Sequence, residues 1–65
     1  MIIGTTKNVL EEGTDRVLLT KGRGYGVKKD GDTITIVHND IGEPMVVSTN
    51  GVSKEFREKF VVYEG

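Results

Sequence analysis

The chain has no cysteine and no tryptophan, one proline and one histidine. Without cysteine no disulfide can staple the fold and no thiolate can hold a metal, a usage that fits a reducing compartment. A lone histidine with no cysteine beside it leaves a transition-metal site short of ligands. Neither sign of charge predominates: nine basic residues face ten acidic ones, for a formal net charge of -1. That balance argues against a general polyanion binder and leaves room only for a local patch. No apolar run approaches the ~20 residues of a membrane span. The opening Met1-Ile2-Ile3-Gly4 lacks the basic region and long apolar stretch of a signal peptide. The expectation is a soluble cytoplasmic protein with no membrane partner. Sixty-five residues hold one domain, spanning 1–65. Such a domain buries only about 60% of its unfolded surface, and its net stability should be about 3–5 kcal/mol.

What is present is a chain cut by nine glycines into strand-length pieces. Met1 to Thr6 reads as a first strand, favoured by its β-branched residues. Lys7 to Thr14 is polar around Val9-Leu10 and reads as a loop. Val17-Leu18-Leu19 is a short apolar run ending at a glycine cluster, the mark of a strand. Tyr25 to Lys29 and Thr33 to His38 flank Asp30-Gly31-Asp32, a hairpin signal because glycine accepts the positive φ of a tight turn. In the second of these strands Ile34 and Ile36 alternate with threonines and should face the core. Met45 to Ser48 returns after the turn Asn39 to Pro44. Asn50-Gly51 bends the chain again. Ser53 then caps a helical turn that brings Phe56 and Phe60 together, four residues apart. Phe60 to Tyr63 closes the chain as a last strand.

No piece is long enough for a crossover helix, so the strands should pair antiparallel. The fold expected is all-β: a small antiparallel barrel of about five strands, with a short helical turn before the last. Curling the sheet would bury one face and hide its edges. The core should contain Ile3, Val17, Leu19, Val27, Ile34, Ile36, Met45, Val47, Phe56, Phe60 and Val62, with Tyr25 at least half buried.

Several segments invite a chemical reading. Gly22-Arg23-Gly24-Tyr25-Gly26-Val27 has the look of a phosphate-cradling loop. It runs into a strand rather than a helix, and neither the dinucleotide nor the P-loop spacing is met. It is read as a bend, with Gly22, Gly24 and Gly26 letting the strand turn sharply. Asp30, Asp32, Asp40 and Glu43 lack the alternating spacing of a calcium loop and serve as turn residues. His38 and Asp40 have no nucleophile beside them, so His38 is expected at a strand end, partly packed on the barrel. No catalytic residue, metal or cofactor is expected, and the chain is not read as an enzyme. Lys54, Glu55, Arg57, Glu58 and Lys59 alternate in sign, as on a solvated helical face. The remaining candidates are Lys21, Arg23, Tyr25, Lys28 and Lys29. A basic cluster around an aromatic can contact phosphates and stack a base, although Asp30 and Asp32 cancel much of its field.

Leu19-Thr20-Lys21-Gly22-Arg23-Gly24-Tyr25-Gly26-Val27, then Asn39-Asp40-Ile41-Gly42-Glu43, then Phe60 before the last strand, resembles a pattern in short phage and bacterial proteins with Src-homology-3-like barrels. These proteins are mostly uncharacterised. The likeness covers roughly residues 15 to 64. Arg23 stands where a lysine is usual, the stretch before Leu19 is longer, and Thr49 to Phe56 is extra. The resemblance implies the barrel fold and an accessory role, phage- or prophage-encoded, but no reaction. Two readings follow. The favoured one is a non-enzymatic interaction module that binds another protein through loops and edges. The alternative is a nucleic-acid-binding accessory protein using Lys21, Arg23, Tyr25, Lys28 and Lys29.

Overall fold

The computed structural model describes residues 1–64. In chain order the elements are β1 (Ile2–Thr5), β2 (Val9–Leu10), β3 (Val17–Leu19), β4 (Tyr25–Asp30), β5 (Thr33–Ile36), β6 (Met45–Ser48), α1 (Lys54–Lys59) and β7 (Phe60–Glu64). All the strand pairs are antiparallel. Five strands form one sheet in the order β6-β5-β4-β1-β7, and β2 and β3 form a separate two-stranded hairpin.

The local chemistry of each element is visible in its residues. Asp30 pairs with Thr33, leaving Gly31 and Asp32 as a two-residue turn. Gly31 takes φ +60 while no residue other than glycine has a positive φ, the pattern of the II′ turn that suits the twist of a hairpin. The Ser53 side chain accepts from the Phe56 backbone N–H and caps α1, and the Phe60 N–H closes the other end on the Phe56 carbonyl. Basic Arg57 and Lys59 fill the last turn, complementing the exposed carbonyls there.

The buried core is Ile3, Leu19, Tyr25, Ile34, Ile36, Phe56 and Phe60, with Val9, Val27, Met45, Val47 and Val52 packed against it. Ile34 and Ile36 are fully buried, as the alternation of Thr33–Ile36 requires. The Phe56 and Phe60 rings stack at 5.0 Å, so one aromatic pair joins α1 to the last strand and to the core. Val17 is only partly buried.

Four expectations are corrected. Among the described residues there are seven strands, five of them in the main sheet and two in the separate hairpin. One of the additional strands, β2, lies in Lys7–Thr14: Val9 faces Leu19 and Leu10 faces Val17, a two-residue pairing masked by polar flanks. The main sheet does not close into a barrel, because β6 and β7 stay at its two edges. The β2–β3 hairpin and α1 bring Leu19 and Phe56 into the core in place of further strand pairing. Val62 lies opposite Ile3 but is 41% exposed, because β7 is an edge strand with a bulge just beyond this pair. His38 is exposed: β5 stops at Ile36, and the chain turns away once the Val37 N–H has reached the Gly26 carbonyl at 3.0 Å.

Candidate functional site

The two motif segments meet in space, and Asp40 is their meeting point. Its backbone N–H donates to the Leu18 carbonyl at 2.8 Å, tying the β5–β6 loop to β3. Its carboxylate then accepts from three side chains. The Thr20 hydroxyl donates to Oδ2 at 2.7 Å, while the Tyr25 hydroxyl and Arg23 Nη1 donate to Oδ1 at 2.7 and 3.1 Å. The Tyr25 oxygen in turn accepts from the Thr20 N–H at 2.7 Å. The Arg23 guanidinium also lies 5.8 Å from the centroid of the Tyr25 ring, within cation–π range.

Neighbouring residues position this network. Gly22 adopts φ +81 in a turn closed by the Arg23 N–H on the Thr20 carbonyl at 3.1 Å. A positive φ is accessible there because glycine has no Cβ. The Lys21 N–H donates to Asn8 Oδ1 at 2.7 Å, holding that turn against the segment before β2. On the opposite side, buried Asn39 accepts from the N–H groups of Ile41 and Glu43 at 3.1 and 2.9 Å. It thereby folds the loop that presents Asp40.

The electrostatics follow from this geometry. Partial burial opposes the charge on Asp40, but the bonds from Tyr25 and Thr20 and the nearby Arg23 charge outweigh it, so the carboxyl titrates below its ordinary range. Burial of Tyr25, together with its bond to the Asp40 carboxylate, pushes its phenol above the usual value despite the opposing bond from Thr20.

The sequence-derived candidates are therefore placed differently from one another. Arg23 and Tyr25 are brought together, with Tyr25 only 5% exposed. Lys21 is exposed on the turn. Lys28 and Lys29 are exposed on β4 opposite Thr35 and Ile34, at successive positions that point to opposite faces of the strand. Asp40 is turned towards Thr20, Arg23 and Tyr25, and among the described residues no group of three or more His, Asp or Glu side chains is arranged to hold a metal.

From the sequence Thr20 reads as a strand residue of the first motif, Asp40 as a turn residue with no nucleophile beside it, and Asn8 carries no signal. The available signal was Tyr25 itself, since a buried tyrosine hydroxyl needs a partner. Nor does the sequence single out Tyr63, whose ring lies over Gly4. A Cβ added at Gly4 would come within 2.5 Å of that ring. Compared with known proteins, the chain matches no family model, no curated protein and no solved structure.

Proposed function

We propose that this chain is a non-enzymatic protein-interaction module, an accessory protein of phage or prophage type with a Src-homology-3-like strand topology in an open sheet. The topology is supported by the strand order, with β1 between β4 and the final strand, and by the short helix directly before β7. The functional reading rests on one contrast. Arg23 and Tyr25, central to any nucleic-acid contact, are committed to Asp40. Apolar groups on the outer face of the sheet have no such commitment. Val37 and Val46 are 45% and 58% exposed, and Val37 lines a shallow groove with Lys28, Asp30, Thr33, Thr35 and Pro44. Exposed apolar surface rimmed by polar residues suits a protein partner.

The test is capture from lysate, with and without nuclease treatment, on the immobilised full chain, followed by elution with salt. A protein partner should stay bound at about 0.5 M salt, where exposed charges are largely screened. Paired Val37→Asp and Val46→Asp replacements should release it. Capture that collapses with salt, is indifferent to the valine changes and is abolished by replacing Arg23 and Lys28 would instead support the nucleic-acid reading, because such binding runs on counterion release.

A further inference from the structure

We propose that Asn50–Gly51 is a self-modifying site: the native turn between β6 and α1 holds back an intramolecular deamidation, and molecules whose turn opens are converted irreversibly to isoaspartate and aspartate forms. This inference stands apart from the proposed function. It needs no partner, and its only co-reactant is water.

The chemistry follows from the dipeptide. Gly51 has no side chain to crowd its nitrogen, and the exposed Asn50 offers its carboxamide carbon to that nitrogen. The Gly51 N–H gives its proton to hydroxide, and the nitrogen attacks Asn50 Cγ. The Cγ–Nδ2 bond breaks, and ammonia leaves with a proton from water, which regenerates the hydroxide. A cyclic succinimide remains. Water then opens the ring. Attack at Cγ frees the side chain as aspartate. Attack at the main-chain carbonyl carbon frees that carbon as the carboxylate and leaves Gly51 joined through Cγ, which is isoaspartate.

The other two asparagines are internal controls. Asn8 precedes β-branched Val9 and Asn39 precedes Asp40, so in both a side chain crowds the attacking nitrogen. Asn39 is also buried, with its side-chain oxygen accepting from the Ile41 and Glu43 N–H groups.

The fold opposes the reaction on both sides of residue 51. The Gly51 N–H donates to the Asp32 carbonyl at 2.6 Å, and Gly51 is buried, so the proton that must leave is held in a shielded bond. The Gly51 carbonyl accepts from the Ser48 hydroxyl at 2.7 Å, and the Ser48 oxygen accepts from the Asn50 N–H at 3.2 Å. Ser48 thus clamps the reacting peptide from both ends and holds Gly51 at φ +63. Loss of the proton and the swing of the nitrogen onto Cγ both require the turn to open, as hydrogen exchange of a bonded amide does.

The products do not fit back into the turn. Isoaspartate lengthens the main chain by one carbon between residue 50 and Gly51, which carries the Gly51 N–H away from the Asp32 carbonyl. Both products also bring a carboxylate to a turn that already lies beside one: Asp32 Oδ1 is 3.4 Å from the position a Cβ on Gly51 would take. Like charges brought close oppose reclosure. Opened molecules are therefore withdrawn from the native population in one direction, so the chain's lifetime is set by how often this turn opens.

The full 65-residue chain is incubated in mildly alkaline buffer, native and in denaturing urea, and isoaspartate is followed by peptide mapping. The unfolded chain should convert at Asn50 well before Asn8 or Asn39. The native chain should convert at least about tenfold more slowly, with its Gly51 amide protected from hydrogen exchange by a similar factor. Below the unfolding midpoint both rates should rise together with urea. Ser48→Ala should bring native conversion towards the unfolded rate while keeping the circular dichroism spectrum, and where that variant does not fold the urea series of the unmodified chain decides. The isoaspartate form, returned to buffer, should unfold at a lower urea midpoint than the unmodified chain. Equal conversion in native and unfolded chain would overturn the proposal, as would native conversion that ignores urea while Gly51 exchange responds to it. A folded Ser48→Ala chain as protected as the parent would overturn the clamp. An unchanged midpoint for the isoaspartate form would overturn its exclusion from the native turn.

Discussion

Replacing Asp40 with alanine tests whether the two motif segments form a structural clasp. Three side-chain donors lose their acceptor, and they differ in exposure. Thr20 is exposed, so water can satisfy its hydroxyl at little cost. The Arg23 side chain is 65% exposed, so its ion pair is worth at most about 1 kcal/mol. Tyr25 is 5% exposed, and its O–H would be left without an acceptor in a buried site, a penalty of about 1–3 kcal/mol. The sum is about 1–4 kcal/mol against a total of about 3–5 kcal/mol for a chain of this size. Asp40→Ala should therefore sit at the edge of unfolding. Arg23→Ala should cost no more than about 1 kcal/mol, with Tyr25→Phe between the two. Urea titration followed by circular dichroism gives these differences from the midpoints at constant slope. Combining Tyr25→Phe with Asp40→Ala should cost less than the sum of the single changes, because the orphaned hydroxyl is gone. If Arg23→Ala proves as damaging as Asp40→Ala, the clasp is held by charge and the assignment to buried hydrogen bonds is wrong.

Further tests address the core, the Tyr63 contact and pH. Phe60→Ala should cost about 3–5 kcal/mol and leave the chain largely unfolded, while Ile34→Ala and Ile36→Ala should each cost more than Thr35→Ala. A Thr35→Ala more damaging than either would mean that the faces of β5 are reversed. Gly4→Ala should dislodge the half-exposed Tyr63 ring, seen as a change in its aromatic proton shifts, and the same replacement in a Tyr63→Ala background should add little further destabilisation. Because the folded Asp40 titrates below its ordinary range, its contribution is complete above the unfolded value and is lost as pH falls through the folded one, so Asp40→Asn should flatten the acid limb of stability against pH. The Tyr25 phenol is shifted upward, so its contribution is complete below the unfolded value and is lost as pH rises through the folded one. Absorbance titration should show a late tyrosine ionisation that is absent from Tyr25→Phe.

The readily legible parts of the fold were those governed by local chemistry. Asp30-Gly31 specified a turn by its demand for positive φ, Thr33 to Ile36 announced its buried face by alternation, and Ser53 marked the start of α1 by its capping hydroxyl. Strand β2 was hidden because a two-residue pairing has no periodicity to detect. The exposure of Val62 was hidden because alternation says which way a residue points, not whether anything covers it. The same division applies to the candidate site. Tyr25 was recognisable as a residue the core would use, and Arg23 lies against it. Asp40 could not be identified as their acceptor from spacing alone, since it reaches β3 and β4 from a loop some twenty positions further along the chain.

The placement of β1 between β4 and β7 has a kinetic consequence. The β4–β5–β6 meander joins segments close together in the chain, so it can form early. Ile3, by contrast, meets Val62, and that encounter closes almost the whole polypeptide into a loop before its contacts can repay the lost entropy. The last strand should accordingly dock late. Exposed-side substitutions in β7 should raise the unfolding rate and leave the folding rate nearly unchanged, whereas destabilising the β4–β5 turn should slow folding itself.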